Sequence, residues 1–181
     1  MIIADTPLAG VKLIDIEPIE DDRGFFARTF CAETFAAHGL EPHLHQISLS
    51  YNRRAGTLRG LHLQRPPFAE AKLVRATAGA VFDVVVDLRA RSATYGQWFG
   101  VRLAADSRRQ IYIPPGLAHG FQTLTDGAEL TYLISAPFAP DAQDGVRWND
   151  ADLAVEWPDP GGAILSDRDR ALSLLCDFSP W

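Results

Sequence analysis

The arrangement of apolar residues in this chain limits it to a fold built from many short β-strands. About ten short stretches rich in β-branched and aromatic residues follow one another, with Gly, Pro and Asp between them. This spacing is typical of antiparallel sandwiches and barrels, so we predict an all-β fold. The predicted strands are Val11–Ile16, Phe25–Phe30, His43–Tyr51, Thr57–Gln64, Lys72–Ala78, Val81–Leu88, Gln97–Ala104, Arg109–Ile113, Gly120–Leu124 and Glu129–Ile134.

The stretch Val81–Leu88 has the clearest strand pattern in the chain. Successive side chains of a strand point to opposite faces of the sheet, and here the two faces differ in composition. One face is wholly apolar and the other mixes valines with acids: Phe82, Val84, Val86 and Leu88 against Val81, Asp83, Val85 and Asp87.

Helical signals are few. Ala32–His38 predicts a short helix that ends at Gly39, with Pro42 beyond it. Ser166 is a good N-cap residue with Asp169 three positions later, which predicts a second helix start. The chain contains no internal repeat, low-complexity tract or linker, so we expect residues 1–181 to form a single domain.

Composition excludes several classes of protein. The 181 residues are 47% hydrophobic and 22% charged, as in ordinary globular proteins. A net charge of −6 without any Lys/Arg block argues against nucleic-acid binding, although a phosphorylated ligand is still possible. We expect no membrane partner and no signal peptide, since no long apolar run is present. Cys31 and Cys176 are far apart in the chain, which favours free thiols in a reducing cytoplasm.

The segment Leu58–Gln64 and the following Ala71–Arg75 place ionisable residues inside otherwise apolar strands. Arg59, His62 and Lys72 are the residues concerned. Burying such groups without partners costs several kcal/mol, so we interpret them as the wall of a polar active site. Strict alternation places Arg59 and His62 on opposite faces, and only a bulge or strong twist brings both to one cavity.

A second motif, Pro-x-Gly-x-x-His at Pro114–His119, is a turn that delivers a histidine onto the next strand. Double-stranded β-helix barrels of the cupin type carry this pattern and point the histidine inward. Metal-binding cupins typically have His-x-His in the first motif, but this chain has His62-Leu63-Gln64. An amide is a poor transition-metal ligand beside imidazole, so we expect a cupin-type jelly-roll barrel without a metal cofactor.

These motifs, with Asp22–Phe26 and Asp83–Arg89, resemble the dTDP-4-dehydrorhamnose 3,5-epimerase family in order and spacing from about Val11 to Asp169. The resemblance implies a homodimeric cupin barrel that needs no cofactor. It also implies a nucleotide-linked 4-keto-6-deoxyhexose as substrate, from the synthesis of rhamnose-like deoxysugars. The C4 ketone acidifies the neighbouring C3–H and C5–H bonds, so epimerisation needs a base, an acid and help for the enolate.

The resemblance assigns these catalytic roles to four residues. His62 is the base, Asp169 is the carboxylate that orients it, Tyr132 is the acid on the opposite face, and Lys72 stabilises the enolate. Each also has an ordinary structural interpretation. These are a hydrogen-bonded core histidine, a carboxylate at a helix start, a strand aromatic and a surface lysine.

The resemblance further implies a set of substrate-binding residues. Arg59 and His119 match positions that hold the substrate, Arg23 and Arg168 match the diphosphate positions, and Phe138 replaces a tyrosine that stacks on the base. The remaining members of the set are Arg28, Gln46, Ser48 and Asp144. Arg28 replaces a glutamate, and a guanidinium suits cytosine N3 better than thymine N3, so a CDP-linked sugar is an alternative to dTDP.

Other functions remain as alternatives. A single-site epimerase or a keto-isomerase shares the same architecture. A metal-dependent cupin oxygenase would need the missing second histidine. A carbohydrate-binding module would not need the set of His62, Tyr132 and Asp169.

Overall fold

The computed structural model describes all residues from Met1 to Trp181 and is almost entirely β. The helices are α1 (Ala32–Ala37) and α2 (Asp167–Arg170), with 3₁₀ turns at Pro140–Ala142 and Leu175–Asp177. The strands are β1 (Ile2–Asp5), β2 (Lys12–Asp15), β3 (Ile19–Asp21), β4 (Gly24–Phe26), β5 (Gln46–Asn52), β6 (Leu58–Gln64), β7 (Lys72–Ala78), β8 (Ala80–Asp87), β9 (Trp98–Ala104), β10 (Gln110–Ile113), β11 (Leu117–Thr123), β12 (Ala128–Ile134) and β13 (Gln143–Gly145).

Two antiparallel sheets face each other. One has the order β1-β2-β10-β7-β12-β5, and the other has the order β13-β6-β11-β8-β9. Strands β3 and β4 form a separate hairpin. This is the cupin-type jelly-roll barrel that the sequence predicts.

The alternation in β8 sorts its side chains between two cores, as predicted. Val81 and Val85 pack between the sheets, in a cluster that includes Ile111 and Leu130 of the facing sheet. Val84 and Val86 lie on the outer face of their own sheet. Residues of the C-terminal segment cover that outer face: Leu153, Trp157 and Phe178. Asp83 therefore points into the space between the sheets, on the face of Val81 and Val85.

The predicted boundaries are close for most strands, but β5 begins at Gln46 rather than His43, and β11 begins at Leu117 rather than Gly120. Phe25–Phe30 is a strand only over Gly24–Phe26, because the chain then turns toward α1. The short strands β1, β3 and β13 were not predicted. They have three or four residues each, too few for alternation to show. Helix α1 ends as predicted, with Gly39 at φ +69°.

A bulge in β6 resolves the conflict between Arg59 and His62. His119 of β11 pairs with His62 of β6, and Phe121 pairs with Arg59. The paired residues are two positions apart on β11 but three positions apart on β6. The extra residue in β6 shifts the alternation by one, so both side chains reach the same side of the sheet. Gly60 occupies the bulge at φ +133°, and a Cβ there would lie 2.5 Å from the Cα of Gly120. Only glycine fits this approach without strain.

A buried carboxylate stabilises the turn before β11. Asp87 is fully buried and accepts hydrogen bonds from Arg89, Ser92 and Thr94. Arg89 in turn packs beneath Gly116, where an added Cβ would lie 2.6 Å from Arg89 Cγ. Burial alone would raise the pKa of Asp87, but these hydrogen bonds prevail and lower it to about 2.

We expect the unfolding free energy to depend on this group at low pH. A carboxyl with a depressed pKa stabilises the fold above its ordinary pKa of about 3.9, and that contribution is lost as the pH falls toward 2. Asp87→Asn should therefore cost roughly 2 kcal/mol at pH 7 and remove this part of the acid dependence. Urea unfolding between pH 7 and pH 2 measures both quantities. Asp106→Asn, at an exposed turn, is the control, and equal acid dependence in the two variants would contradict the assignment.

Candidate active site

A cavity of about 490 Å³ opens between the two sheets and contains most of the predicted site residues. Both sheets and α2 contribute to its wall. The predicted residues that line it are Gln46, Ser48, Arg59, His62, Lys72, His119, Tyr132, Phe138, Arg168 and Asp169.

His62 and Asp169 form a direct pair at this wall. His62 Nε2 lies 2.6 Å from Asp169 Oδ1, although the residues are 107 positions apart. The imidazole is one-third exposed to the cavity, whereas the carboxylate is only 6% exposed. Burial alone would raise the pKa of Asp169, but the hydrogen bond and charge of His62 outweigh it, so the pKa is lowered. A carboxylate that stays ionised can orient the ring and stabilise its protonated form.

Helix α2 explains how Asp169 reaches this position. Ser166 caps the helix as predicted, since its Oγ accepts a hydrogen bond from the Asp169 amide. The cap fixes the first turn, and Asp169 is the only buried residue of α2. The carboxylate is thereby held beside strand β6.

Tyr132 lies on the opposite wall from His62. Its strand, β12, belongs to the six-stranded sheet, whereas β6 belongs to the five-stranded sheet. Burial raises the pKa of Tyr132 far above its ordinary value, and the nearby Asp83 raises it further. The phenol is therefore protonated at neutral pH and can act as a proton donor.

Lys72 is fixed by two contacts. Its Nζ lies 3.0 Å from Glu70 Oε1 and donates a hydrogen bond of 3.2 Å to the His62 carbonyl oxygen. Glu70 is itself buried and accepts a hydrogen bond from the Gln64 amide. This arrangement holds a cation at the cavity wall, next to the strand that carries the imidazole.

Two further polar residues line the cavity with defined partners. Arg59 Nε donates to Asn52 Oδ1 at 2.8 Å. His119 is buried, and its Nε2 lies 2.8 Å from Oδ2 of Asp83. The Pro114–His119 turn delivers this histidine into β11 as predicted, with Gly116 at φ +86°.

The mouth of the cavity is formed by exposed residues. Phe138 is 60% exposed, and Arg168 projects from α2. Gln64 fixes the loop that carries Phe138, because its side chain bonds to the Pro137 carbonyl and the Ala139 amide. Gln64 therefore holds this loop in place, at the position where metal-binding cupins have a metal ligand.

Three predicted substrate-binding residues lie outside this cavity. Arg23 is 90% exposed in the β3–β4 hairpin and pairs with Asp21, and Arg28 is exposed in the following loop. Asp144 forms an ion pair with Arg65 instead of facing the cavity. The resemblance alone placed these residues, and the ion pair between Asp144 of β13 and Arg65, just after β6, has no sequence signature.

Sequence reasoning missed the acidic partners Asp83 and Glu70. Asp83 had a signal, since it is an acid that alternates with Val81 and Val85 on one face of a strand whose other face is wholly apolar. The pairing of Glu70 with Lys72 had no such signal in the sequence, because it depends on the turn before β7. No group of three or more His, Cys, Asp or Glu side chains is arranged to hold a metal ion. No helix has the length and apolar character needed to cross a membrane.

The chain matches known proteins over nearly its whole length. Residues 5–177 match the family model described as dTDP-4-dehydrorhamnose 3,5-epimerase. The enzyme of that name from Pseudomonas aeruginosa is 44% identical over 175 residues, 95% of this chain and 96% of the relative. The one from Escherichia coli K12 is 41% identical over 176 residues, covering 97% and 95%.

Solved structures give the same result. The dTDP-4-dehydrorhamnose 3,5-epimerase of Elizabethkingia anophelis superposes with a TM-score of 0.94 at 36% identity, covering 98% of this chain and 97% of that one. The Legionella pneumophila enzyme in complex with dTDP-4-keto-L-rhamnose gives 0.91 at 36%, covering 98% and 94%. A 3'-monoepimerase from Streptomyces bikiniensis gives 0.87 at 34%, covering 94% and 86%. The chain therefore belongs to the dTDP-4-dehydrorhamnose 3,5-epimerase family of isomerases, as its motifs predict.

Proposed function

We propose that this chain is a cytoplasmic single-domain epimerase that inverts both C3 and C5 of a dTDP-linked 4-keto-6-deoxyhexose. The observation that carries the proposal is the His62–Asp169 pair, which faces Tyr132 across a cavity between two sheets. Inversion requires a proton to leave one face of the sugar and another to arrive at the opposite face. Groups on opposing walls meet that requirement.

His62 takes the proton in this scheme. Asp169 accepts a hydrogen bond from Nε2, so the other ring nitrogen is the one available to act as base. As the imidazole becomes charged, the ionised Asp169 stabilises it. The buried Asp169 thus orients His62 and stabilises its protonated form.

Lys72 and Tyr132 complete the reaction. The Lys72 ammonium, held by Glu70, is positioned to stabilise negative charge that develops on the C4 oxygen. Tyr132, protonated because burial raises its pKa, delivers a proton to carbon from the other wall. The ketone of the substrate is the electron sink, so these residues account for the chemistry.

Proton removal by His62 and proton return by Tyr132 can be measured separately in deuterated solvent. We expect His62→Ala to lower both exchange and inversion at least about 100-fold, because no group remains to remove the proton. We expect Tyr132→Phe to lose inversion but to keep exchange, since His62 can still remove and return a proton on its own face. NMR of the dTDP-linked 4-keto-6-deoxyglucose in heavy water follows both carbons.

Wild-type label at both C3 and C5 supports double epimerisation. Label at one carbon only would identify a single-site enzyme, like the monoepimerase among the structural relatives. Failure of the wild-type protein to label either carbon would contradict the proposed function itself.

The nucleotide is proposed to be dTDP rather than CDP. The complexed Legionella relative, 36% identical, contains a dTDP sugar. We expect calorimetry to give at least about tenfold tighter binding of dTDP than of CDP, equivalent to one well-made hydrogen bond. Equal or tighter binding of CDP would contradict this choice.

We also propose that the active protein is a homodimer. Strand β5 lies at the edge of its sheet, and its outward face exposes Ile47, Leu49 and Tyr51. An apolar edge of this kind favours pairing with another chain. The β3–β4 hairpin exposes Phe26 and carries Arg23 away from its own cavity. A second copy brings this arginine to the partner's cavity, as its resemblance to a diphosphate-binding position requires.

Mixed dimers test this arrangement. Arg23→Ala and His62→Ala should each be nearly inactive alone. Mixed in equal amounts after unfolding and refolding, they should recover about a quarter of wild-type activity, because half of the dimers then contain one intact site. No recovery would show that Arg23 acts within its own subunit, and full activity of Arg23→Ala alone would show that it does not act at all. Sedimentation analysis establishes the dimer independently.

The cytoplasmic location is part of the same proposal. Both cysteines are free, and Cys176 is exposed. Exposed free thiols persist in reducing compartments.

A further inference from the structure

Asp83 is a buried carboxylate that the proposed reaction does not yet use. It is fully buried on β8, on the strand face shared by Val81 and Val85. Its Oδ2 lies 2.8 Å from Nε2 of His119, but its Oδ1 has no hydrogen-bond partner in the protein. It is the only buried side-chain polar atom of the chain in that condition. Leaving such an atom unpaired costs on the order of 1–3 kcal/mol, so packing alone does not explain the residue.

His119 connects Asp83 to the reacting groups. Its ring contacts that of Tyr132 edge to face, with centroids 5.8 Å apart and planes at 69°. One ring nitrogen is engaged by Asp83. The other has no partner in the protein, yet it is not among the fully enclosed polar atoms, so it faces the cavity that both rings line. The order from interior to substrate is therefore Asp83, His119, Tyr132.

The proposed reaction leaves Tyr132 without its proton, so the phenol must be protonated again. Once the phenol has protonated carbon, a tyrosinate remains in a buried site where burial and Asp83 both oppose its charge. Burial also raises the pKa of Asp83, against the opposing influence of His119 and Lys72. Burial therefore favours a proton on the Asp83 carboxyl, which is shared with Nε2 of His119, so the cavity-facing nitrogen of His119 is the one that carries the ring N–H. That nitrogen lines the same cavity as Tyr132, whose ring His119 contacts.

We propose that the Asp83–His119 pair is a proton reserve that resupplies Tyr132 during epimerisation, an inference that rests on the proposed function. In the step concerned, the Tyr132 O–H bond breaks and the enolate electron pair forms the new C–H bond. The phenolate oxygen then takes the proton from the cavity-facing nitrogen of His119, and the proton shared with Asp83 moves onto Nε2 of the ring. The pair ends with one proton fewer, which equals the proton that His62 gained. Asp83 is a positioning residue, since it acts through His119.

The alternative is that His119 only binds substrate, as the resemblance implies, and that Asp83 only holds it. The two roles differ in what they do to Tyr132. Loss of a binding contact weakens substrate affinity and slows exchange and inversion together. Loss of the reserve slows only the protonation that comes from the Tyr132 side.

Asp83→Asn is the test, because the amide keeps the shape of the carboxylate but cannot share the proton. Exchange and inversion are measured at C3 and C5 in heavy water with the dTDP-linked 4-keto-6-deoxyglucose. We expect the ratio of exchange to inversion to rise about tenfold or more, with KM changed less than about twofold. His119→Gln should give the same change in ratio, and it replaces Asp83→Asn if that variant does not fold.

Asp150→Asn is the matched control. Asp150 is also a buried carboxylate, but it bonds only to backbone amides of the C-terminal segment. It should leave the ratio at the wild-type value. An unchanged ratio in the folded Asp83 or His119 variant, or an equal loss of exchange and inversion, would overturn the proton reserve alone. A wild-type protein that neither exchanges nor inverts would overturn the proposed function and this inference with it.

Discussion

The hydrogen bond between His62 and Asp169 joins the two parts of the molecule on which the site depends. His62 belongs to a strand in the middle of the chain, and Asp169 belongs to a one-turn helix near its end. The C-terminal segment that includes α2 covers the outer face of the five-stranded sheet through Leu153, Trp157 and Phe178. Packing of that segment therefore also fixes the carboxylate. The packing that buries apolar surface on the outer face of the sheet therefore also positions the carboxylate that bonds to His62.

A common rule governs the other ionisable residues between the sheets. Three groups that face the cavity from the strands have buried partners: Glu70 for Lys72, Asp83 for His119 and Asn52 for Arg59. Desolvation of an unpaired charge would cost several kcal/mol, so the partners stabilise the arrangement as well as orienting it. Tyr132 is the exception, because its hydroxyl makes no hydrogen bond within the protein and its pKa is raised. In the proposed reaction, the group that gives its proton to carbon is thus held without a competing acceptor.

The bulge at Gly60 shows how a small backbone feature sets the contents of the cavity. Without the extra residue in β6, regular alternation would turn either Arg59 or His62 toward the outer core. Gly60 and Gly120 approach so closely that a side chain at either position would displace the strands. The two glycines therefore belong to the active site although neither carries a functional group.

The sequence by itself determined the strand pattern, the two faces of β8, the turn that presents His119 and the cap that starts α2. These features depend on residues close together in the chain, where period, capping and turn chemistry act directly. The family motifs also placed most of the cavity residues. Only the tertiary structure decided that Arg59 and His62 share one wall, and that Asp83 and Glu70 are the buried partners. Such pairings join residues from different strands or loops, and their geometry depends on register and burial, which no local pattern encodes.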